Sequence, residues 1–138
     1  MPNRVEISVV IPVYNSEDIL SELVRQIDNV LTKYKYEIIF VNDGSLDNSW
    51  QTIEKITTKS KSVIAICLSK NFGQDNAIMA GLGLSKRDYA VIMDDDLQHS
   101  PYDITALLDR VKEGYDVCYA NYSWHRKQSI LKNIGSIV

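Results

Sequence analysis

Continuous apolar runs alternate with amphipathic stretches along most of this chain, and this alternation constrains its fold more than any other feature. The runs are rich in Val and Ile, which is typical of strands that are buried on both faces of a sheet. The stretches between them repeat apolar residues at helical spacing. The alternation therefore predicts an α/β fold with a mostly parallel sheet and helices on both faces. The predicted strands are residues 7–13, 37–41, 63–68, 89–93 and 116–121.

The predicted helices cover residues 19–31, 49–58 and 75–84, and a fourth begins near Ser100 and ends near Gly114. Ser100 suits an N-cap ahead of Pro101, and Gly114 suits a helix end. Residues 127–138 would begin another helix, but its apolar side chains have no obvious partner. We therefore expect residues 1–138 to form a single domain that is the N-terminal portion of a longer protein, truncated at its C-terminus.

Composition narrows the classes of function. A chain of 138 residues that is 45% hydrophobic and 24% charged suits one globular domain with a real core. The net charge of −3 and the lack of a basic stripe argue against a nucleic-acid-binding protein. No apolar run is long enough to span a membrane, and no signal-peptide pattern opens the chain. Cys67 and Cys118 lie in apolar runs without metal-site spacing, which predicts buried free thiols and a cytoplasmic location.

An acidic triplet, Asp94 to Asp96, follows the fourth predicted strand directly. Open α/β sheets place their ligand crevices at this end of the strands. Side chains at i and i+2 of an extended segment point the same way, so Asp94 and Asp96 would share one hard cation, with Asp95 turned elsewhere. Gln98 adds an amide oxygen, and carboxylates with substrate phosphates are a common Mg²⁺ or Mn²⁺ arrangement. A solvated acidic turn is the alternative, and the triplet alone does not exclude it.

Three other predicted loops bring polar groups to the same edge of the sheet. Pro12 stiffens the exit from the first strand, and Tyr14 would lie along a flat base. Asp43 would accept hydrogen bonds from a base or ribose, and Lys70 would offset phosphate charge. Each residue also has an ordinary explanation, as part of a turn or as a solvated side chain. Together the loops suit a nucleotide diphosphate, whereas the absence of G-x-G-x-x-G and P-loop motifs argues against dinucleotide enzymes and P-loop NTPases.

These motifs, in this order, resemble those of the family 2 glycosyltransferases of the GT-A type, from about residue 7 to residue 135. The three main signatures are VIPVYN (residues 10–15), VNDGS (41–45) and DDD (94–96), the last resembling the family's D-x-D motif. The segments KNFGQ (70–74), AGL (80–82) and MDDDLQ (93–98) resemble a narrower branch, the polyprenyl-phosphate glycosyltransferases. This branch includes dolichol-phosphate mannose synthases and undecaprenyl-phosphate sugar transferases. The resemblance implies a Rossmann-like, nucleotide-sugar-binding domain.

The resemblance also implies a role for each candidate site residue. The nucleotide sugar would be bound by Pro12, Tyr14, Glu17, Asp43, Lys70 and Asp95. Asp94 would contact the ribose or the metal, and Asp96, with Gln98, would bind Mg²⁺ or Mn²⁺ that bridges the diphosphate. Asp94 and Asp96 would therefore be catalytic.

The chain departs from the family pattern at two places. Ser16 stands where many relatives carry an acid, so Glu17 is an alternative for that role. Arg126 fits one acceptor-phosphate arginine, but Tyr122 and Ser123 stand near the position of another.

The implied reaction is transfer of a sugar from a nucleotide-diphosphate sugar to a polyprenyl phosphate. The full-length protein would work at the cytoplasmic face of a membrane, which it would contact through segments outside this chain. One alternative is a transferase that acts on a glycan or a cell-wall polymer, and another is a non-catalytic nucleotide-binding fragment. A signalling receiver domain would need an acidic pair after the first strand, where this chain has Tyr14 and Asn15. The sequence leaves the nucleotide, the sugar and the oligomeric state open.

Overall fold

The computed structural model describes residues 5–121. Four parallel strands alternate with four helices, which confirms the predicted α/β fold, and the element bounds lie within three residues of the predicted ones. The elements are β1 (Glu6–Val13), α1 (Leu20–Val30), β2 (Lys35–Asn42), α2 (Ser49–Lys59), β3 (Val63–Cys67), α3 (Gln74–Leu84), β4 (Tyr89–Ile92) and α4 (Asp103–Lys112).

The sheet has the strand order β3-β2-β1-β4, and every pair is parallel. The chain steps from β1 to β2 to β3 in one direction and then returns to place β4 on the other side of β1. Because crossovers between parallel strands are right-handed, this order places α1 and α2 on one face and α3 on the other. The reversal between β1 and β4 opens a crevice at the carboxyl ends of these strands.

The core lies around the two central strands. From Ile7 to Val13 every residue of β1 is buried, and so is every residue of β2 from Glu37 to Asn42. The apolar stripe of α1 is buried as well, through Leu20, Leu23, Val24 and Ile27. Continuous apolar runs form these strands because both of their faces are covered by helices.

Helix α3 approaches β1 and β2 closely because Gly81 has no side chain. A Cβ atom at Gly81 would lie 2.4 Å from Val10 Cγ1 and 3.1 Å from Val41 Cγ2. Val10 and Val41 are fully buried, so they have little room to move aside. This contact fixes α3 over the carboxyl half of the sheet, and the residues just before α3 reach the crevice.

We expect Gly81→Ala to lower the free energy of unfolding by about 1–3 kcal/mol, because the added methyl group overpacks the core. Gly83, on the same helix, is the matched control, since a Cβ atom there would meet nothing within 4 Å. Gly83→Ala should raise the free energy of unfolding by up to about 1 kcal/mol through helix propensity. Urea denaturation of both variants checks this, and equal effects would contradict the packing argument.

A network of charged side chains connects the amino ends of the strands, at the end of β1 opposite the crevice. The buried Glu37 carboxylate accepts hydrogen bonds from the Ser8 hydroxyl (2.7 Å) and from Arg87 Nε (3.3 Å). Arg87 also pairs with Glu6 at 2.7 Å, as does Lys35. Hydrogen bonds from Lys35 and Arg87 hold the pKa of Glu6 below its usual value. The network joins β1, β2 and the turn before β4, and is a structural feature.

Two predictions are wrong. Residues 116–121 form no strand, and they pair with none of the described strands. Val117 and Tyr119 are 63% and 89% exposed, and strand propensity alone does not order a segment whose apolar side chains lack cross-strand packing. Cys67 was predicted to be buried but is exposed at the end of the edge strand β3, although it and Cys118 are both free thiols as predicted.

The predicted helix at residues 127–138 lies outside the described residues. Within residues 5–121, no helix is both long enough and apolar enough to cross a bilayer.

Candidate functional site

A cleft of about 320 Å³ opens at the carboxyl ends of the strands, where the strand order reverses. Its walls come from the loops that follow β1 (the first loop, residues 14–19), β3 (the third loop, 68–73) and β4 (the fourth loop, 93–102) and from the end of β2. Six of the predicted site residues line it: Pro12, Tyr14, Asp43, Asp94, Asp95 and Asp96. Val13, Asn71, Gly73 and Gln74 complete the lining.

Asp43 forms the floor of the cleft and is only 3% exposed. Its Oδ1 accepts a hydrogen bond from the Phe72 amide (2.7 Å), and its Oδ2 accepts one from the Gly73 amide (3.0 Å). A buried carboxylate is tolerated when its oxygens accept hydrogen bonds in this way. Asp43 therefore fixes the third loop, and the same two hydrogen bonds hold its carboxylate in one orientation.

The second loop (residues 43–48) packs directly on the third loop at Gly44. This glycine has a φ of +68°, and a Cβ atom there would lie 2.4 Å from the backbone nitrogen of Asn71. Only glycine combines this backbone conformation with so close an approach. The NDG sequence thus serves to bring the two loops together next to Asp43.

Asp94 contacts two side chains at the rim of the cleft. Its Oδ1 accepts a hydrogen bond from Gln74 Nε2 (2.8 Å), and its Oδ2 lies 3.5 Å from His99 Nδ1. Gln74 begins α3, so this bond links the helix to the fourth loop. Asp94 is held in one orientation as a result.

Asp95 contacts the first loop. Its Oδ2 accepts hydrogen bonds from the Tyr14 amide (3.1 Å) and from the Ser16 hydroxyl (2.5 Å). Asp95 therefore has different partners from Asp94 and Asp96, although all three line the cleft. The central residue of the triplet thereby joins the loops that follow β1 and β4.

Asp96 is the exposed member of the triplet. Its Oδ1 accepts a hydrogen bond from the backbone amide of Gln98 (2.9 Å), and the intervening Leu97 has a φ of +57°. A positive φ at leucine is unusual, and conformations of this kind cluster at ligand sites. The turn presents the Asp96 carboxylate at the mouth of the cleft.

The oxygen donors of the cleft suit a hard divalent cation. Among residues 5–121, no three His, Cys, Asp or Glu side chains are grouped so that they could hold a metal ion by themselves. Mg²⁺ is commonly bound by one or two carboxylates and completes its shell with substrate phosphates and water. Asp94 and Asp96 therefore fit such an ion if the ligand supplies a diphosphate.

Three predicted site residues do not line the cleft. Lys70 is exposed, and its Nζ lies 5.1 Å from the centroid of the Phe72 ring. The backbone amide of Gln98 donates to Asp96, while the Gln98 side chain is exposed. Glu17 faces a second, acidic hollow beside the first loop. Arg126 lies outside the described residues.

Glu17 is held by the second loop. Its Oε2 accepts a hydrogen bond from the Asn48 amide, and its own amide donates to Asp47 Oδ2, both at 3.2 Å. Burial raises the pKa of Asp47, but hydrogen bonds from Ser49 and from the Glu17 amide outweigh it and leave that pKa below its usual value. Glu17 and Asp47 thus join the first and second loops.

Sequence reasoning missed two residues that contact the acidic triplet. Gln74 was noted only as part of a motif, and Ser16 only as a departure from the family pattern. The position of Gln74, directly after Gly73 at the start of α3, was a usable signal, because a helix that begins at the sheet edge directs its first side chains toward the crevice. No comparable signal existed for the contact between Ser16 and Asp95, which depends on how two loops fold.

Two curated relatives are similar over most of the chain. It is 38% identical over 134 residues to an undecaprenyl-phosphate 4-deoxy-4-formamido-L-arabinose transferase of Klebsiella pneumoniae, a match that covers 95% of this chain and 41% of the relative. It is 43% identical over 114 residues to the transferase of the same name from Pseudomonas fluorescens, covering 80% of this chain and 33% of the relative. The chain thus spans less than half the length of these relatives.

Among solved structures, a mannosyltransferase of Pyrobaculum calidifontis in complex with GDP-Man and Mn²⁺ superposes with a TM-score of 0.64. The sequences are 20% identical, and the match covers 76% of this chain and 31% of that one. This likeness confirms the predicted GT-A type of fold. The model of the family described as glycosyl transferase family 2 matches residues 8–133, which is most of the chain. The chain therefore belongs to glycosyl transferase family 2.

Proposed function

We propose that this chain is the nucleotide-sugar-binding portion of a glycosyltransferase that moves a sugar from a nucleotide-diphosphate sugar to a polyprenyl phosphate. One observation carries the proposal: Asp94 and Asp96 line the same cleft as Tyr14 and Asp43, although these residues come from three different strand ends. The chain thus brings an exposed aromatic ring and two carboxylates to one cleft, which supports the proposal of a base surface beside a cation site. An acidic turn in bulk solvent, the ordinary explanation of the triplet, would have no such neighbours.

Each wall of the cleft suits one part of the donor. Tyr14 is 45% exposed, so its ring is accessible to a base, and Pro12 and Asp43 line the same cleft. Asp94 would contact the ribose or the cation, and Asp96 would bind Mg²⁺ or Mn²⁺. A divalent ion bound there would act as a Lewis acid toward the departing diphosphate.

The acceptor is proposed from its chemistry and from the names of the relatives. Both curated relatives are named as undecaprenyl-phosphate transferases. A phosphate acceptor is already an anion near neutral pH, so it needs no strong general base, whereas an alcohol of a glycan would need one. Arg126 is proposed to contact the acceptor phosphate.

Binding of nucleoside diphosphates tests the donor half of the proposal. We expect one of UDP, GDP and dTDP to raise the melting temperature by several degrees in the presence of Mn²⁺, and by much less in the presence of EDTA, because binding to the native state stabilises it. No shift with any of the three, with and without Mn²⁺, would contradict the proposal.

The acceptor half is tested with the full-length protein and a radiolabelled donor sugar. Label should pass into the organic phase with undecaprenyl phosphate and not with undecaprenol, which has the same chain but no phosphate. Transfer to a glycan acceptor alone would favour the alternative reaction.

A further inference from the structure

The backbone pairing between β1 and β4 ends just before the two loops that form the walls of the cleft. The pairing of β1 with β4 ends at Val10 and Ile92, and one further hydrogen bond joins the Met93 amide to the Val10 carbonyl (3.1 Å). Past this point, no backbone ladder fixes the distance between the first and fourth loops. That distance depends on side chains.

Asp95 bridges the two loops at this point. Its Oδ2 accepts hydrogen bonds from the Tyr14 amide and the Ser16 hydroxyl. The Ser16 hydroxyl also lies 3.2 Å from the Tyr14 carbonyl oxygen, but its one proton favours the shorter contact with the charged carboxylate. The Ser16 amide donates to Ser49 Oγ (2.8 Å), so Ser16 is fixed from its other side as well.

We infer that Asp95 is a positioning residue, matched to Ser16, which sets the spacing between the Tyr14 wall and the Asp94–Asp96 wall of the cleft. This inference rests on the proposed function, because the spacing matters only if one ligand contacts both walls. Asp95 acts through the backbone of Tyr14, and it is not a metal ligand.

The match between the two residues is electrostatic. Ser16 supplies a proton to the Asp95 carboxylate, whereas an acid at position 16 would bring a second negative charge to the same place. Ser16 and Asp95 are thus a hydrogen-bonded pair across the two loops, which predicts that the effects of substitutions at residues 16 and 95 are coupled. A substitution at one of them should be offset by a particular substitution at the other.

Calorimetric titration of the protein with UDP, GDP and dTDP in the presence of Mn²⁺ tests the inference, using whichever of the three binds the unmodified protein most tightly. We expect Asp95→Ala to weaken that binding roughly tenfold, because two hydrogen bonds to one carboxylate are lost. Asp95→Asn keeps an acceptor oxygen and should stay within about threefold. Both variants should keep the same half-saturating Mn²⁺ concentration as the unmodified protein.

The coupling is tested with Ser16→Asp alone and together with Asp95→Asn. The single substitution should weaken binding roughly tenfold, and the double variant should regain most of the affinity, because an asparagine amide can donate to the new carboxylate. Circular dichroism shows whether Asp95→Ala folds. If it does not, the cycle of Ser16→Asp and Asp95→Asn still tests the inference.

Unchanged affinity of Asp95→Ala, additive effects in the cycle, or loss of the Mn²⁺ dependence in Asp95→Ala would each overturn the inference. If the unmodified protein binds none of the three nucleotides, the proposed function fails instead.

Discussion

Replacing Asp96 with alanine is expected to abolish metal-dependent nucleotide binding, with an affinity loss of roughly 100-fold or more. Substitution of residues that merely support a metal ligand already costs about 10–100-fold in metal affinity, and Asp96 would be a ligand itself. Its carboxylate is exposed at the mouth of the cleft, so the substitution removes little packing. Titration calorimetry with the best-binding nucleoside diphosphate, with and without Mn²⁺, measures the loss.

Glu54→Ala is the matched control for this experiment. It removes the same charge from an exposed carboxylate on α2 that does not line the cleft, and it should leave nucleotide affinity unchanged. The free energy of unfolding of both variants should lie within about 0.5 kcal/mol of that of the unmodified protein, as is usual for surface substitutions. Mn²⁺-dependent binding that persists in Asp96→Ala would remove Asp96 from the metal site.

Replacing Asp43 with alanine is expected to lower the free energy of unfolding by about 1–3 kcal/mol and to abolish nucleotide binding. The Phe72 amide would lose its acceptor in a part-buried position, and an unsatisfied group of this kind costs about 1–3 kcal/mol. The Gly73 amide would lose Asp43 as well but would keep the Asn71 side-chain oxygen at 3.0 Å. Domains of this size are stable by only about 5–15 kcal/mol, so the loss is large. Urea denaturation monitored by circular dichroism measures it.

Two further variants, Asp43→Asn and Asp75→Ala, show whether loss of the hydrogen bonds causes the decrease in stability. Asn keeps one acceptor oxygen but sets an amide group against the other backbone N–H, so an intermediate loss is expected. Asp75 is exposed in the first turn of α3, and its removal should cost less than about 1 kcal/mol. If the free energy of unfolding of Asp43→Ala lies within about 0.5 kcal/mol of that of the unmodified protein, the hydrogen bonds to the third loop do not stabilise the fold as described.

The sheet was predictable because its strands are buried on both faces. A continuous apolar run such as Ile38 to Val41 has few alternatives to a central strand, and helical periodicity between the runs predicts the crossovers. The same reasoning failed at residues 116–121, whose composition also favours a strand. A strand requires a partner edge as well as suitable residues, and the local sequence carries no information about the edge.

The position of the site was also predictable, since parallel strands bring their carboxyl ends to one edge of the sheet. The partners of each carboxylate were not. Asp43 and Asp95 both accept backbone amides from other loops, and those contacts depend on the close approach at Gly44 and on the path of the first loop. Such details arise from loop packing, which has no periodic signature.

The proposed role of Glu17 rests on a shift of one position along the first loop, because Ser16 stands where the family pattern has an acid. Glu17 accepts a hydrogen bond from the Asn48 backbone amide, whereas Ser16 donates to Asp95. The second hollow is lined by Ser16, Glu17 and Asp96 alike, so the role of Glu17 stays a prediction.

The proposed function requires the acidic triplet to bind a divalent ion which in turn binds a diphosphate. A crystal structure with Mn²⁺ and the best-binding nucleoside diphosphate tests it most directly, because anomalous scattering locates manganese without reference to the protein. We predict one manganese ion coordinated by Asp96 and by oxygens of both phosphates, with the base against Tyr14 and Asp43. A nucleotide bound elsewhere, or manganese away from Asp94 and Asp96, would contradict the account.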